Sequence, residues 1–391
     1  MRVLHLLDPA VLRATDYRRR TFALVDQLRA QGVHTVQLAG PDGNADAAQP
    51  PEALPEGGDG WQVYRTALPA CPGWLPRSCA GAMPPVALAL RLRQLLRWTR
   101  PDLIHAHAAS SSTVLAALGM LTLAGRGHLP LVAEAERRGA GRRTPAWERW
   151  TLARAGALAA PSFEMRALLR SSRVACRRIA VIPPPADLAA TPCQDRGPPD
   201  LEGAPLLAYA GRLARDEGID LLLAVLPVLR KRHPALRLVV AGGGVREDEL
   251  ADRIGCSGAR GHVVITGSLS SQRAADLLPR ADIAVFPALP GGAAELAPSR
   301  HLLNAMAHGC AIVAADTASH RELLVHGHSA VLFQAGSRSG LAAALLGLLD
   351  RPERRRALGH AAAARAASQH SWPVTAARYR CLYEHVLAGR R

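Results

Sequence analysis

The chain has 391 residues, 49% of them hydrophobic, and carries 48 Lys+Arg against 32 Asp+Glu for a formal net charge of +16. That composition excludes wholesale disorder, and the length suits two or three domains at roughly 150 residues each. All but one of the basic residues are arginine, the exception being Lys231, so Schiff-base and P-loop lysine chemistry are set aside and anion binding falls to Arg, His and backbone N–H groups.

Arg2–Leu7 is a short, continuous apolar run, the pattern of a strand covered on both faces. It has neither the long apolar region nor the small-residue cleavage site of a signal peptide. Thr21–Gln31 shows helical periodicity and stops at Gly32, and the strand His34–Gly40 follows. Strand, helix, strand opens a parallel sheet. Pro41–Gly60, rich in Pro, Gly, Asp and Ala, reads as a loop, Leu88–Thr99 as a helix, and Leu103–His107 as a strand with histidines at its tip. The longest apolar run, Ser112–Ala124, falls well short of the ~20 residues that span a bilayer. Further short strands are expected at Pro130–Glu134, Gly156–Ala160 and Ile179–Ile182.

Pro183–Pro205 is dense in proline and marks a domain boundary. Beyond it the same grammar restarts. Strands at Pro205–Tyr209, Leu236–Ala241, Val263–Thr266, Asp282–Phe286 and Ala311–Ala314 alternate with helices at Asp220–His233, Glu247–Ile254, Gln272–Leu278 and His301–His308. Gly340–Leu349 and Pro352–Gln369 close the helical series. The expected class is α/β, with two doubly wound Rossmann-like domains, residues 1–187 and 205–371, a Pro-rich linker at 188–204 and a last helix at 372–391. Two such domains facing each other would place a ligand cleft at the carboxyl ends of their strands. The seven cysteines have irregular spacing and no CxxC, which indicates neither a disulfide framework nor a zinc site and fits a reducing cytosol.

The second half holds an ordered set of motifs: Gly211-Arg212-Leu213 with Asp216-Glu217-Gly218, Gly242-Gly243-Gly244, Gly267-Ser268-Leu269, Ala281–Pro287, Glu295–Arg300, Asn304–Gly309 and His320–Leu323. The first half adds Pro101–His107, Ala160-Pro161-Ser162 and Val181-Ile182-Pro183. Over nearly the whole chain these resemble the retaining glycosyltransferases of family 4, which have the two-domain GT-B fold. Tyr17–Thr21 and the Asp216-Glu217-Gly218 variant are also similar to glycosyltransferases of bacterial exopolysaccharide clusters. The resemblance implies a nucleotide-sugar donor on the second domain, a glycan or lipid-linked acceptor on the first, and a last helix that crosses back to the first domain. It implies no metal and no other cofactor.

Holding a diphosphate leaving group without a metal calls for cations and helix N-termini. By family position Arg212 contacts phosphate, its fork suiting two oxygens at once; the alternative is an Arg paired with Asp216 or Asp220. The family's second phosphate ligand, a Lys, is Glu217 here, expected to point elsewhere. Ser299 reads as a helix cap that exposes N–H groups to the donor, and Arg300 follows it as a donor contact or, alternatively, a surface charge. The family's two glutamates stand eight residues apart; here the second is Asn304, a weaker ribose contact than a carboxylate, the position eight before it is Leu296, and the nearest acid, Glu295, nine before, is expected to face the sugar. Glu322 stands where the family has a Glu near the donor. On the first domain, His107 is expected at a strand tip open to the cleft and near the transferred sugar, with His105 packed deeper. Glu134 and Arg18 are candidates for the acceptor or phosphate side, Arg18 because Asp16-Tyr17-Arg18 replaces the family's glycine.

The leading expectation is therefore a cytoplasmic retaining glycosyltransferase of polysaccharide or glycolipid assembly. The alternative is a catalytically impaired GT-B protein serving as scaffold or partner of an active transferase. The scattered basic residues form no aromatic-interleaved groove, so nucleic acid is not an expected partner. An anionic membrane is, at the inner face of the cytoplasmic membrane, with Arg137–Arg143 as a candidate dock.

Overall fold

A computed structural model describes residues 1–7, 15–40, 53–54, 61–66, 83–107, 112–122, 130–135, 146–172, 174, 176, 178–186, 205–244, 246–256, 261–267 and 277–389. The chain divides into two units, one made of Met1–Pro161, Met165–Ile182 and Thr375–Arg391, the other of Ser162–Glu164 and Pro183–Val374. The expected linker, 188–204, and the Arg137–Arg143 segment lie outside the described residues.

Eight strands build the first unit: β1 (Arg2–Leu7), β2 (His34–Ala39), β3 (Ala53–Leu54), β4 (Trp61–Arg65), β5 (Leu103–Ala106), β6 (Leu131–Glu134), β7 (Ala157–Ala160) and β8 (Ile179–Val181). Their order is β3-β4-β2-β1-β5-β6-β7-β8. Every pair is parallel except β3 with β4. β1 is central and buried after its first residue, as an unbroken apolar run requires. β3 corrects the sequence reading, which placed a loop over 41–60, and β4, just beyond that loop, is a strand the sequence reading did not assign. β3 is the edge strand of the sheet and β4 its neighbour, both short and beside Pro and Gly, where alternation is weak. The helix of Thr15–Ala30 begins earlier than its periodicity suggests, and helices at Ser112–Leu121, Ala146–Ala153 and Phe163–Ser171 were not foreseen as helices.

The second unit has β9 (Leu206–Ala210), β10 (Arg237–Ala241), β11 (Val263–Ile265), β12 (Ile283–Phe286), β13 (Ala311–Ala315) and β14 (Val331–Phe333). They form one parallel sheet in the order β11-β10-β9-β12-β13-β14. The order reverses between β9 and β12, and such a switch point opens a crevice at the carboxyl ends of the strands. Three loops there are tied together: Gly211 N–H donates to Ala241 O (3.0 Å), Leu213 N–H to Gly243 O (3.1 Å) and Gly242 N–H to Gly267 O (3.0 Å). A Cβ on Gly242 would fall 1.8 Å from Gly211 O, so only glycine permits this approach.

The last helix, Trp372–Ala388, belongs from Thr375 onward to the first unit. Tyr379, Leu382, Tyr383 and Val386 form its buried stripe. Gly156 lets it come close, since a Cβ there would lie 2.8 Å from Val386 Cγ1. Among the described residues no helix is long and apolar enough to cross a membrane.

Candidate functional site

In the first unit, β1, β5 and β6 present His5, His105 and Glu134 side by side, because the parallel register aligns His5 with His105 and His105 with Val132. His107 follows β5 on the same face as His105, with ring centroids 4.1 Å apart. The side chain, expected at an open strand tip, is buried in the first unit. His107 is 2% exposed, and its Nε2 lies 2.8 Å from His5 Nδ1. The rings of His5 and His107 are nearly parallel, at 21°, with centroids 5.1 Å apart. That spacing fits an in-line N–H···N bond.

Glu134 Oε1 gathers the other groups. Tyr379 OH donates to it at 2.8 Å, while His107 Nδ1 and His105 Nε2 each lie 3.3 Å away. The Tyr383 hydroxyl sits 2.7 Å from His105 Nδ1. One proton assignment serves these contacts. Glu134 is ionised, His107 carries its proton on Nδ1 and His105 on Nε2, and Tyr383 donates to His105. His107 Nε2 then accepts from His5 Nδ1–H; His5 Nε2 is left buried without a hydrogen-bond partner among the described residues, and His105 Nε2 has only its 3.3 Å approach to Glu134. Burial alone would raise the Glu134 carboxyl; the charge that His107 and His105 carry when protonated, together with their hydrogen bonds, outweighs it and holds Glu134 well below the ordinary carboxylate range. Burial, reinforced by neighbouring His107, pushes His105 down to about 4 and depresses His5 as well.

The three histidines offer ring nitrogens within 4.8 Å of one another. Two imidazoles on one tetrahedral ion at ~2.0–2.1 Å would hold their nitrogens about 3.3 Å apart. The facing nitrogens of His5 and His107, 2.8 Å apart, are closer than that and stand at hydrogen-bond separation.

In the second unit, Arg212 stands on the loop after β9, 57% exposed. Its Nη2 meets Glu217 Oε1 at 2.8 Å and Asp216 Oδ2 at 3.3 Å. Glu217 therefore does not point away as expected but grips the arginine. Asp216 also accepts from Ala293 N–H (3.1 Å) at the start of the helix Ala293–Leu296, and Asp220 pairs instead with Arg246 (2.6 Å). Glu295, on that short helix, accepts from Ala318 N–H at 3.1 Å and borders a cavity of ≈ 890 Å³ with Asp316, Arg321 and Gln334.

Ser299 caps the helix Arg300–Ala307, accepting from His301 N–H at 3.2 Å. Arg300 is half-buried and Asn304 buried on that helix. Both oxygens of Glu322 accept from Phe163 N–H, at 2.9 and 3.1 Å. Arg18 lies in the helix Thr15–Ala30, and its side chain is outside the described residues.

Sequence reasoning missed His5, His320 and the roles of Tyr379 and Tyr383. His320 is buried, with Nδ1 2.8 Å from Ala315 O, and burial lowers its pKa although Glu217 and Glu295 lie near enough to oppose this. No spacing pattern could reveal His5, Tyr379 and Tyr383, since each meets its partner across more than a hundred residues of chain.

Residues 18–190 match the family model described as Glycosyltransferase Family 4, and residues 204–351 that described as Glycosyl transferases group 1. Glycogen synthase of Mycobacterium tuberculosis is 29% identical over 327 residues, 78% of this chain and 74% of that protein. Phosphatidyl-myo-inositol mannosyltransferase of Mycolicibacterium smegmatis is 32% identical over 170 residues, 44% of this chain and 42% of that protein. Among solved structures, sucrose-phosphate synthase of Thermosynechococcus elongatus aligns over 100% of both chains with a TM-score of 0.73 and 17% identity. Anabaena HepE, solved with UDP and glucose, aligns over 98% of this chain and 100% of its own with a TM-score of 0.68 and 16% identity.

Proposed function

Because the chain belongs to the group 1 and family 4 glycosyltransferases of GT-B fold, we propose that it transfers a sugar, with retention of anomeric configuration, from a nucleotide-sugar to a glycan or lipid-linked acceptor. The observation that carries this reading is Arg212, half-exposed at the switch point of a parallel sheet, one loop away from the cavity that Glu295 borders. A guanidinium there can neutralise the charge that grows on a departing diphosphate. The start of the helix behind Ser299 offers N–H groups and a partial positive charge to the same end. In this reading Arg212, Arg300 and helix N-termini take the place of a metal, Glu295 meets the sugar, and Asn304 and Glu322 complete the donor site. The M. smegmatis relative is named for a phosphatidylinositol substrate, which supports a lipid-linked acceptor, and HepE was solved with UDP, which supports a nucleoside-diphosphate sugar as donor; in this reading the protein sits in the cytoplasm at a membrane surface.

Calorimetry with UDP- and GDP-sugars tests donor binding, and NMR of the anomeric proton in the product tests retention. An inverted product discards the stereochemical part. One observation favours a second reading, an impaired transferase acting as scaffold: Glu217 and Asp216 already occupy Arg212. Failure of every common donor to bind would select it.

A further inference from the structure

The helix Met83–Thr99 buries Pro85, Ala87, Leu88, Ala89, Leu92 and Leu95. Its opposite face leaves Leu90 62% and Trp98 63% exposed, with Val86 exposed beside them. Steps of four residues from Val86 through Leu90 and Gln94 to Trp98 put these on one side of the helix. The same side carries Arg93 and Arg97, both exposed. Among the described residues neither has a salt bridge or hydrogen-bond partner. Arg91 lies 5.8 Å from the Trp98 ring, and residues 83–101 contain no Asp or Glu.

We propose that this face is the docking surface for an anionic lipid bilayer. An aromatic and a leucine flanked by arginines, on a helix already anchored by its other side, is the composition that seats in a headgroup layer: the rings and aliphatic groups enter the boundary while guanidinium heads reach lipid phosphates. Charge selects this occupant. A purely apolar partner would leave unpaired arginines desolvated, whereas an anionic surface attracts each of them. The proposal is independent of the transfer reaction, since it concerns only where the first unit rests.

The test is co-sedimentation of the full chain with vesicles of phosphatidylcholine alone and of phosphatidylcholine mixed with phosphatidylglycerol, in low and in physiological salt. Binding should require the anionic lipid and weaken with salt. Arg93→Glu with Arg97→Glu should weaken partition at least about 30-fold, and Leu90→Glu or Trp98→Ala should also lower it. Arg93→Lys with Arg97→Lys should retain it, which separates lost charge from lost folding. Equal binding to both vesicle types, no binding to either, or a charge-reversed variant that partitions like the parent would overturn the proposal. So would a concentration-dependent dimer in lipid-free buffer that Trp98→Ala dissolves, because the face would then be covered by a second copy. Vesicle binding needs neither donor nor acceptor, so its failure leaves the proposed transferase standing.

Discussion

Glu217 Oε1 lies 2.8 Å from Nη2 of Arg212, and the same oxygen is 3.2 Å from Nε. A single carboxylate oxygen thus takes the Nε–Nη2 edge of the guanidinium that the proposed function assigns to phosphate. A diphosphate must displace it or share the cation with it.

The first prediction follows from that competition. An exposed ion pair is worth about 0.2–1 kcal/mol, so Glu217→Gln should tighten nucleoside diphosphate binding by up to about five-fold. Arg212→Ala should weaken it by roughly ten-fold or more, the loss of a charged hydrogen-bond partner. Titration calorimetry with UDP and GDP measures both. Affinity indifferent to both changes would remove Arg212 from the donor site.

The tyrosines of the last helix give the second. Tyr383→Phe leaves His105 Nδ1, fully buried, without its 2.7 Å donor, and a stranded buried acceptor costs about 1–3 kcal/mol. Tyr379→Phe removes one of several contacts to Glu134, which is 20% exposed and can turn to water, so its cost should be nearer 1 kcal/mol. Urea unfolding should rank Tyr383→Phe as the more damaging. The reverse ranking would mean that the network is held mainly through Glu134.

How far the sequence led can be judged from these same residues. β1 and β5 were legible because buried parallel strands read as continuous apolar runs, and the two histidines at 105 and 107 stood out by alternation. Their partners were hidden by distance: 278 residues separate Tyr383 from His105 and 245 separate Tyr379 from Glu134, and no local period encodes such a meeting. For Arg212 and Glu217 the residues were visible but the outcome was not. Two charges five apart can meet only if the loop curls, and that curl is set by Gly218 and its contact with Pro287. Elements as short as β14 and the helix Ala293–Leu296 carry too few residues to show a period.

Gly218 supplies the third prediction. Its φ is +74°, and a Cβ there would fall 1.8 Å from Pro287 O, a backbone atom that cannot step aside. Gly327 has a similar φ, +77°, but nothing within 4 Å. Alanine at 327 should cost only the left-handed backbone, about 1–2 kcal/mol. Alanine at 218 should cost that plus a clash that displaces the Arg215–Glu217 turn, and it should reduce nucleotide binding as well. Thermal unfolding of the two variants isolates the clash, and equal losses would show that the turn relaxes freely.

Acid should destabilise the first unit. His105 is held neutral in the fold, its pKa about 4 against an ordinary 6.5, and His5 is lowered by the same burial. Between those values the unfolded chain binds protons that the folded chain does not. Stability therefore rises with pH through this window and falls on acidification. The fully developed contribution of His105 is of order 3 kcal/mol, at about 1.4 kcal/mol per pH unit. Glu134 acts in the same direction lower down: its depressed pKa adds stability present above the ordinary carboxylate value and lost as pH falls through the folded one. The midpoint of thermal unfolding should drop steadily between about pH 6.5 and 4. Replacing His105 with Gln should lower stability at pH 7 but flatten the slope across the window. A wild-type midpoint constant over that range, or an equal slope in the variant, would show that His105 is not kept neutral by the fold.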